Sequence, residues 1–215
     1  MFLKQILIWL LLPLRHTSLP FATKKSIALD IARGLSALHN CGVIHGDMKP
    51  DNVLVFFKPE LHAKVSDFSH SFLDNGKTRQ LVGGTHIYAA PEWKTFQTTS
   101  NLLKTDVYSF GLIFGGLLLG CDIVDAIKFN SLYMDLDVSR PEDYQLLKEC
   151  DLMKHYLNDL IRTADQNRPE LHMEELPMIK RILDSTVQLD PKNRSLVKTI
   201  QALSGGYSFQ LPHFC

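Results

Sequence analysis

The chain of 215 residues lacks a surplus of either charge: 23 Lys and Arg stand against 23 Asp and Glu. With no excess of cations to displace counterions, a nucleic-acid binder working through bulk charge is excluded. Cysteine is sparse. Cys41, Cys121, Cys150 and Cys215 are scattered, with no C-x-x-C and no zinc-like pairing. They read as reduced thiols of an intracellular protein rather than a disulfide or metal framework. No internal repeat or low-complexity segment is present. Long apolar runs are also missing: Ile6–Leu14 is the longest near the N-terminus, far short of the ~20 residues needed to cross a bilayer. Arg15-His-Thr-Ser-Leu-Pro20 offers no small-x-small cleavage site, so the run reads as an apolar helix of the fold and not as a secretory leader.

What is present is ordinary for a globular domain, with 45% hydrophobic and 21% charged residues. At this length the chain makes one domain, or two small ones, with a substantial core. Ile27, Ala28, Ile31, Leu35 and Leu38 recur at helical spacing, predicting a helix over Thr23–His39. Thr23 is its expected cap, and Asn40-Cys41-Gly42 its stop. Two β-rich runs, Val53–Phe57 and Ala63–Ser66, predict a hairpin turning at Lys58-Pro59-Glu60. Ser69–Gly84 is polar and turn-rich and reads as an exposed loop. Asp106–Leu119 is apolar on nearly every face yet too short to span a membrane, which makes it a buried central helix. Three amphipathic segments follow, at about Glu142–Thr163, Glu170–Leu189 and Ser195–Leu203. The class is mostly α with a small β-hairpin.

The chemistry concentrates between the first helix and the hairpin, in His45-Gly-Asp-Met-Lys-Pro-Asp-Asn52. Asp67-Phe-Ser69 follows at the end of the second strand. Then come Gly84-Thr-His-Ile-Tyr-Ala-Ala-Pro-Glu92, Asp106-Val-Tyr-Ser-Phe-Gly111 and Asp190-Pro-Lys-Asn-Arg194. Such a set suits phosphoryl transfer, which needs placed cations and a residue to orient the attacking hydroxyl more than covalent help. Asp47 can accept that hydroxyl's hydrogen bond, and Lys49 can neutralise charge on the moving phosphoryl group. Asn52 and Asp67 offer hard oxygens suited to Mg²⁺. Taken singly, each piece has a plainer reading. His45 and Asp47 could form a metal pair or a turn, and Asp67-Phe68 an ordinary strand end. Glu92 and Arg194 could be surface charges, and Asp106 a helix N-cap.

Together and in this order, the residues from about Thr23 to Leu203 resemble the large, C-terminal lobe of a eukaryotic-type protein kinase. The resemblance implies a protein-kinase-like C-lobe built around the buried central helix. It divides the chain into an apolar N-terminal helix and loop (1–22, with Met1–Leu12 similar to the helix after the inter-lobe hinge), the lobe (23–204) and a tail (205–215). It implies that Asp47 is the catalytic base, that Lys49 marks the Ser/Thr branch, and that Asn52 and Asp67 hold Mg²⁺ beside ATP. Thr85 would support Asp47, Glu92 would pair with Arg194, and Asp106 would hold the catalytic-loop backbone. His45 and Phe68 would be packing residues. The implied partners are protein substrates bearing Ser or Thr, with no nucleic acid and no membrane span, in an intracellular, cytoplasmic setting. Small-molecule phosphotransferases also use His-Gly-Asp and a later Asn, but Lys49-Pro50 and the Gly-Thr-x-x-Tyr-x-Ala-Pro-Glu stretch disfavour them.

Three departures from the family pattern stand out. Gly46 replaces the Arg that clamps an activation-loop phosphate, so phosphorylation of Ser71 or Thr78 is not expected to be a required switch. Ser69 replaces the Gly after Asp-Phe, and its β-carbon is expected to bias Asp67. The family's small lobe carries a Gly-rich loop and a strand Lys, and neither occurs here. The expectation is therefore a large lobe without the small one, binding nucleotide weakly and transferring little by itself. The alternative is a non-catalytic half-kinase, a protein-interaction module whose partner covers the open cleft and the N-terminal apolar helix.

Overall fold

A computed structural model describes residues 9–10, 19–57, 59–81, 85–119, 145, 148, 153–155, 157–159 and 175–205. Helix α1, Phe21–Asn40, follows the predicted periodicity and buries Phe21, Ile27, Ala28, Ile31, Ala32 and Leu35. It begins two residues earlier than expected. Pro20 precedes its first turn, no side chain caps it, and Thr23 lies inside the helix instead of at its end. Proline's fixed φ starts a helix without needing a donor, which displaces the threonine from that role. The stop is as expected: Gly42 takes φ +69°, and its N–H donates to His39 O at 3.0 Å.

After strand β2 (Val43–Ile44) and a short 3₁₀ turn at Pro50–Asn52, strands β3 (Val53–Phe57) and β4 (Leu61–Val65) form the hairpin. They pair antiparallel, from Val53 opposite Val65 to Phe57 opposite Leu61. β4 starts two residues before the predicted run, at Leu61. Val53 and Val55 point into the core, as the strand period requires. The open end of the hairpin is closed by Ser66 N–H on Asn52 O at 2.9 Å. That bond brings the two sequence-distant ends together.

One expectation fails here. Within the apolar N-terminal segment, Trp9–Leu10 is strand β1, not helix, and pairs antiparallel with β3 at Val55 and Leu54. β3 is the middle strand of the sheet, and Trp9–Leu10 pairs with its edge away from β4, whose N–H and C=O groups would otherwise be left without a strand partner. The rest of the predicted 1–12 helix, and most of the 205–215 tail, lie outside the described residues. Ser69–Gly84 is exposed over most of its described length, yet it carries β5 (Phe72–Leu73), paired with β2, and β6 (Thr78–Arg79), paired with β7 (Gln97–Thr98).

The central helix α2 spans Thr99–Leu119, beginning seven residues before the apolar run. Its extra first turns carry half-buried Asn101 and Lys104 among buried Thr99 and Leu102, so the uniform apolar signal starts only later. Val107, Phe110, Leu112, Ile113, Phe114, Leu117 and Leu118 are all buried. Each such side chain contributes about 1.5–3 kcal/mol relative to exposure. Buried Lys24 of α1 donates to Leu118 O at 3.0 Å, placing a cation at the carbonyl end of α2. Helix α3 (Leu176–Thr186) is shorter than the 170–189 prediction, with Pro177 in its first turn. Helix α4 (Leu196–Leu203) is capped by Ser195, whose Oγ accepts Lys198 N–H at 3.3 Å. Of the predicted 142–163 segment, Gln145, Lys148, 153–155 and 157–159 are described, and all are helical. These elements share one core, with α2 packed against α1 and α3, and α4 packed against α1 and α3 in turn.

Candidate active site

The loop between β2 and β3 is held from beneath by Asp106, in the second turn of α2. Its Oδ2 accepts the His45 N–H at 2.8 Å, and its Oδ1 accepts the Gly46 N–H at 3.0 Å. The ring of His39, at the end of α1, donates Nε2–H to Oδ2 at 3.0 Å. Asp106 is thus buried well inside the helix, and the N-cap reading does not apply. A buried carboxylate needs this many donors. His45 is fully buried. Its Nε2–H donates to Ser66 O at 3.0 Å and its Nδ1 accepts the Asp47 N–H at 3.3 Å, which together assign the neutral Nε2–H tautomer.

Asp47, only 6% exposed, is surrounded by donors. Oδ1 accepts Thr85 N–H at 2.8 Å, and Oδ2 meets Lys49 Nζ at 2.8 Å and Asn52 Nδ2 at 3.3 Å. Lys49 Nζ also donates to Thr85 Oγ1 at 3.0 Å, closing a triangle of Asp47, Lys49 and Thr85. Burial pushes the Asp47 carboxyl up, but Lys49 and the Thr85 N–H outweigh it and hold the group below the usual carboxylate range. Asn52 Nδ2 further donates to Asp47 O at 2.7 Å, which fixes the amide and leaves Oδ1 without a hydrogen bond among the described residues.

Asp67 follows the closed end of the hairpin at φ +60°, a left-handed conformation that Asp tolerates better than most residues. Its Oδ1 accepts the Ser69 Oγ–H at 2.7 Å and the Ser69 N–H at 3.2 Å, and these bonds, hydroxyl first, lower its carboxyl. Ser69 therefore biases Asp67 through hydrogen bonds. The strained φ falls on the aspartate and not on the position where a Gly is usual. Phe68 lies with its ring centroid 5.6 Å from that of His45 and stays 50% exposed.

Behind the site, Glu92 receives a two-pronged ion pair from Arg194, Nη1 to Oε1 at 2.5 Å and Nη2 to Oε2 at 2.9 Å. Arg194, 1% exposed, also donates Nε–H to Gln188 O, Nη1–H to Lys104 O and Nη2–H to Leu189 O, so all five N–H groups are used. Its guanidinium lies 4.9 Å from the Tyr108 ring centroid. At Gly46, φ is +80° and a Cβ would fall 2.8 Å from His70 O. The loop thus has no room for any side chain at that position.

The structure brings His45, Asp47, Lys49, Asn52, Thr85 and Asp106 into one hydrogen-bonded network, with Asp67 and Phe68 beside it and Glu92–Arg194 behind. Sequence reasoning missed His39, Gln145 and Lys148. Lys148, 1% exposed, donates to His86 O at 2.5 Å and Ala89 O at 2.6 Å, and Gln145 Nε2 donates to Pro91 O at 2.7 Å. Burial pushes the Lys148 ammonium down to about 7, against an opposing pull from Glu92. Its only signal in the sequence is a lysine directly after Leu146-Leu147.

This network sits between a mostly helical body and a small hairpin. A family model of the protein kinase domain matches residues 4–203, and the chain belongs to that family. A probable serine/threonine-protein kinase of Dictyostelium discoideum, gdt9, is 45% identical over 45% of this chain and 6% of that protein. The Arabidopsis thaliana proline-rich receptor-like protein kinase PERK3 is 37% identical over 72% of this chain and 30% of its own length. The receptor-like kinase TMK2, also from Arabidopsis thaliana, is 28% identical over 79% and 21%. The chain thus spans less than a third of these relatives. Among the described residues no helix is long and apolar enough to cross a membrane.

Proposed function

We propose that the chain is the C-lobe of a protein Ser/Thr kinase, with the apolar segment 1–22 leading into the lobe at 23–204 and a tail at 205–215, and that it takes part in moving the γ-phosphate of ATP to Ser or Thr hydroxyls. The observation that carries this reading is the ionised, buried Asp47 with Lys49 and Thr85 locked around it. Asp47 accepts the hydrogen bond of the substrate hydroxyl and aligns its oxygen. Lys49, held between Asp47 and Thr85, stands where negative charge develops. Asn52 Oδ1 and Asp67 Oδ2 are hard oxygens with no protein donor among the described residues, which fits Mg²⁺. Among the described residues no three His, Cys, Asp or Glu gather as a metal cage; Asn52 and Asp67 would hold the ion, with phosphate and water oxygens completing its shell. When bound, Mg²⁺ neutralises the phosphates. The natural setting is the ATP-rich interior of the cell.

The sequence contains no G-x-G-x-x-G motif, and on this reading these residues supply one wall of the nucleotide site. The chain alone is expected to bind Mg·ATP weakly and to transfer little. Calorimetric titration with Mg·ATP tests the site: Asp67→Ala and Asn52→Ala each weaken Mg²⁺-dependent binding. Unchanged affinity in both would sink the assignment. In the native protein, Asp47→Asn lowers Ser/Thr transfer by about 10²–10⁴-fold. Half-exposed Phe68 beside Asp67 favours a second reading, a non-catalytic module whose partner covers the open cleft. A partner pulled down equally by wild type, Asp47→Asn and Asp67→Asn would support it.

A further inference from the structure

The turn Thr85–Glu92 carries two groups the site depends on, the Thr85 N–H on Asp47 and the Glu92 carboxylate on Arg194. Its own backbone is closed at the start by Tyr88 N–H and Ala89 N–H, both donating to Thr85 O at 2.9 and 3.1 Å, and at the end by Trp93 N–H donating to Ala90 O at 3.1 Å. The carbonyls of His86, Ala89 and Pro91 point the other way, towards the helical residues 145 and 148. There a single Lys148 Nζ reaches two of them and Gln145 reaches the third. Three residues of one tight turn are thus fixed by two side chains one helical turn apart, which share a helix face.

We propose that Lys148, assisted by Gln145, is a positioning residue for the candidate catalytic centre: by gathering the His86, Ala89 and Pro91 carbonyls it sets the turn so that the Thr85 N–H meets Asp47. The inference rests on the phosphotransfer reading for its kinetic meaning, but its geometry is independent of it. Lys148 serves in either protonation state. An ammonium has three N–H groups and a neutral amine two, enough for the two carbonyls. Methionine at this position has similar length and no donor. Buried carbonyls that lose a partner open more readily, and charge-assisted bonds of this kind shift local equilibria by about ten- to a hundredfold.

The test is amide hydrogen exchange and ¹⁵N–¹H spectroscopy on the whole chain, wild type against Lys148→Met and Gln145→Leu. In Lys148→Met, exchange over 85–92 accelerates about ten- to a hundredfold, while α1 and α4 keep their protection. The Thr85 amide proton also moves upfield as its bond to Asp47 lengthens. Gln145→Leu does the same more weakly, and it decides the matter if Lys148→Met does not fold. In the native, active protein, Lys148→Met lowers kcat and leaves KM for ATP unchanged. Exchange that rises uniformly across the chain, or not at all over 85–92, overturns the proposal. If the native protein proves catalytically silent, the phosphotransfer reading fails, while the exchange pattern of the chain still decides the clamp.

Discussion

Replacing Arg194 by methionine tests how much of the fold's stability passes through one buried ion pair. Methionine retains most of the apolar volume, so the loss is electrostatic rather than a cavity. The Glu92 carboxylate loses both its hydrogen bonds, and the carbonyls of Gln188, Leu189 and Lys104 lose their donor. Removing one partner of a buried pair typically destabilises by about 3–5 kcal/mol, because the other charge is left uncompensated. Three orphaned carbonyls at about 1 kcal/mol each reach a similar figure. Glu92 keeps some contact with water, its side chain being 12% exposed, which argues for the lower half of that range. For a domain of this size each kcal/mol lowers Tm by about 2–4 °C, so a loss of about 3–4 kcal/mol corresponds to a fall of about 6–16 °C. Urea unfolding followed by circular dichroism measures it, with an unchanged m-value required for the comparison. Arg194→Lys should recover part of the loss, since an ammonium replaces at most three of five donors. A loss below about 1 kcal/mol in Arg194→Met would equate the pair with an exposed surface bridge and refute the reasoning.

Two further outcomes follow from single sites. Gly46→Ala forces a β-carbon into a left-handed backbone and against His70 O, and should lower stability by at least about 1–2 kcal/mol. Gly46→Arg should be worse and should create no phosphate clamp; a urea midpoint equal to wild type in Gly46→Ala would contradict this. Lys148 titrates near 7 when folded and near 10.5 when free, so between those values the unfolded chain holds the extra proton. Stability should therefore rise with pH across that window, by an upper limit of about 5 kcal/mol, and the rise should vanish in Lys148→Met. A flat wild-type profile from pH 7 to 10 would rule this out.

The sequence carries the helices and the hairpin because their signals are local. Ile27, Ile31 and Leu35 repeat at the helical period, and Val53 and Val55 at the strand period. The same logic explains the failures. Ile6–Leu14 is apolar without alternation, and such a run does not distinguish helix from strand. Pairing with β3 decides it for Trp9–Leu10. The early turns of α2 are mixed in polarity, so a pattern sought in apolar residues began at Asp106 and left that aspartate readable as a cap. Contacts between remote residues leave no trace in spacing. Glu92 and Arg194 are 102 residues apart, and their pairing entered the reading only through family resemblance. Lys148 and Gln145 act on backbone carbonyls, which any sequence supplies, so nothing in the turn itself announces them.

Asp106 ties the loop holding Asp47 to the interior of the most buried helix, through two backbone N–H groups and the His39 ring. Loop and core therefore belong to one cooperative unit, unlike the many functional loops that open independently of their scaffold. Two consequences of this coupling oppose each other. A ligand that engages the loop raises the melting temperature of the whole helical core by mass action. Conversely, a core substitution in α2 far from Asp47 reaches the site as a loss of its geometry, with no change to any residue that touches a substrate.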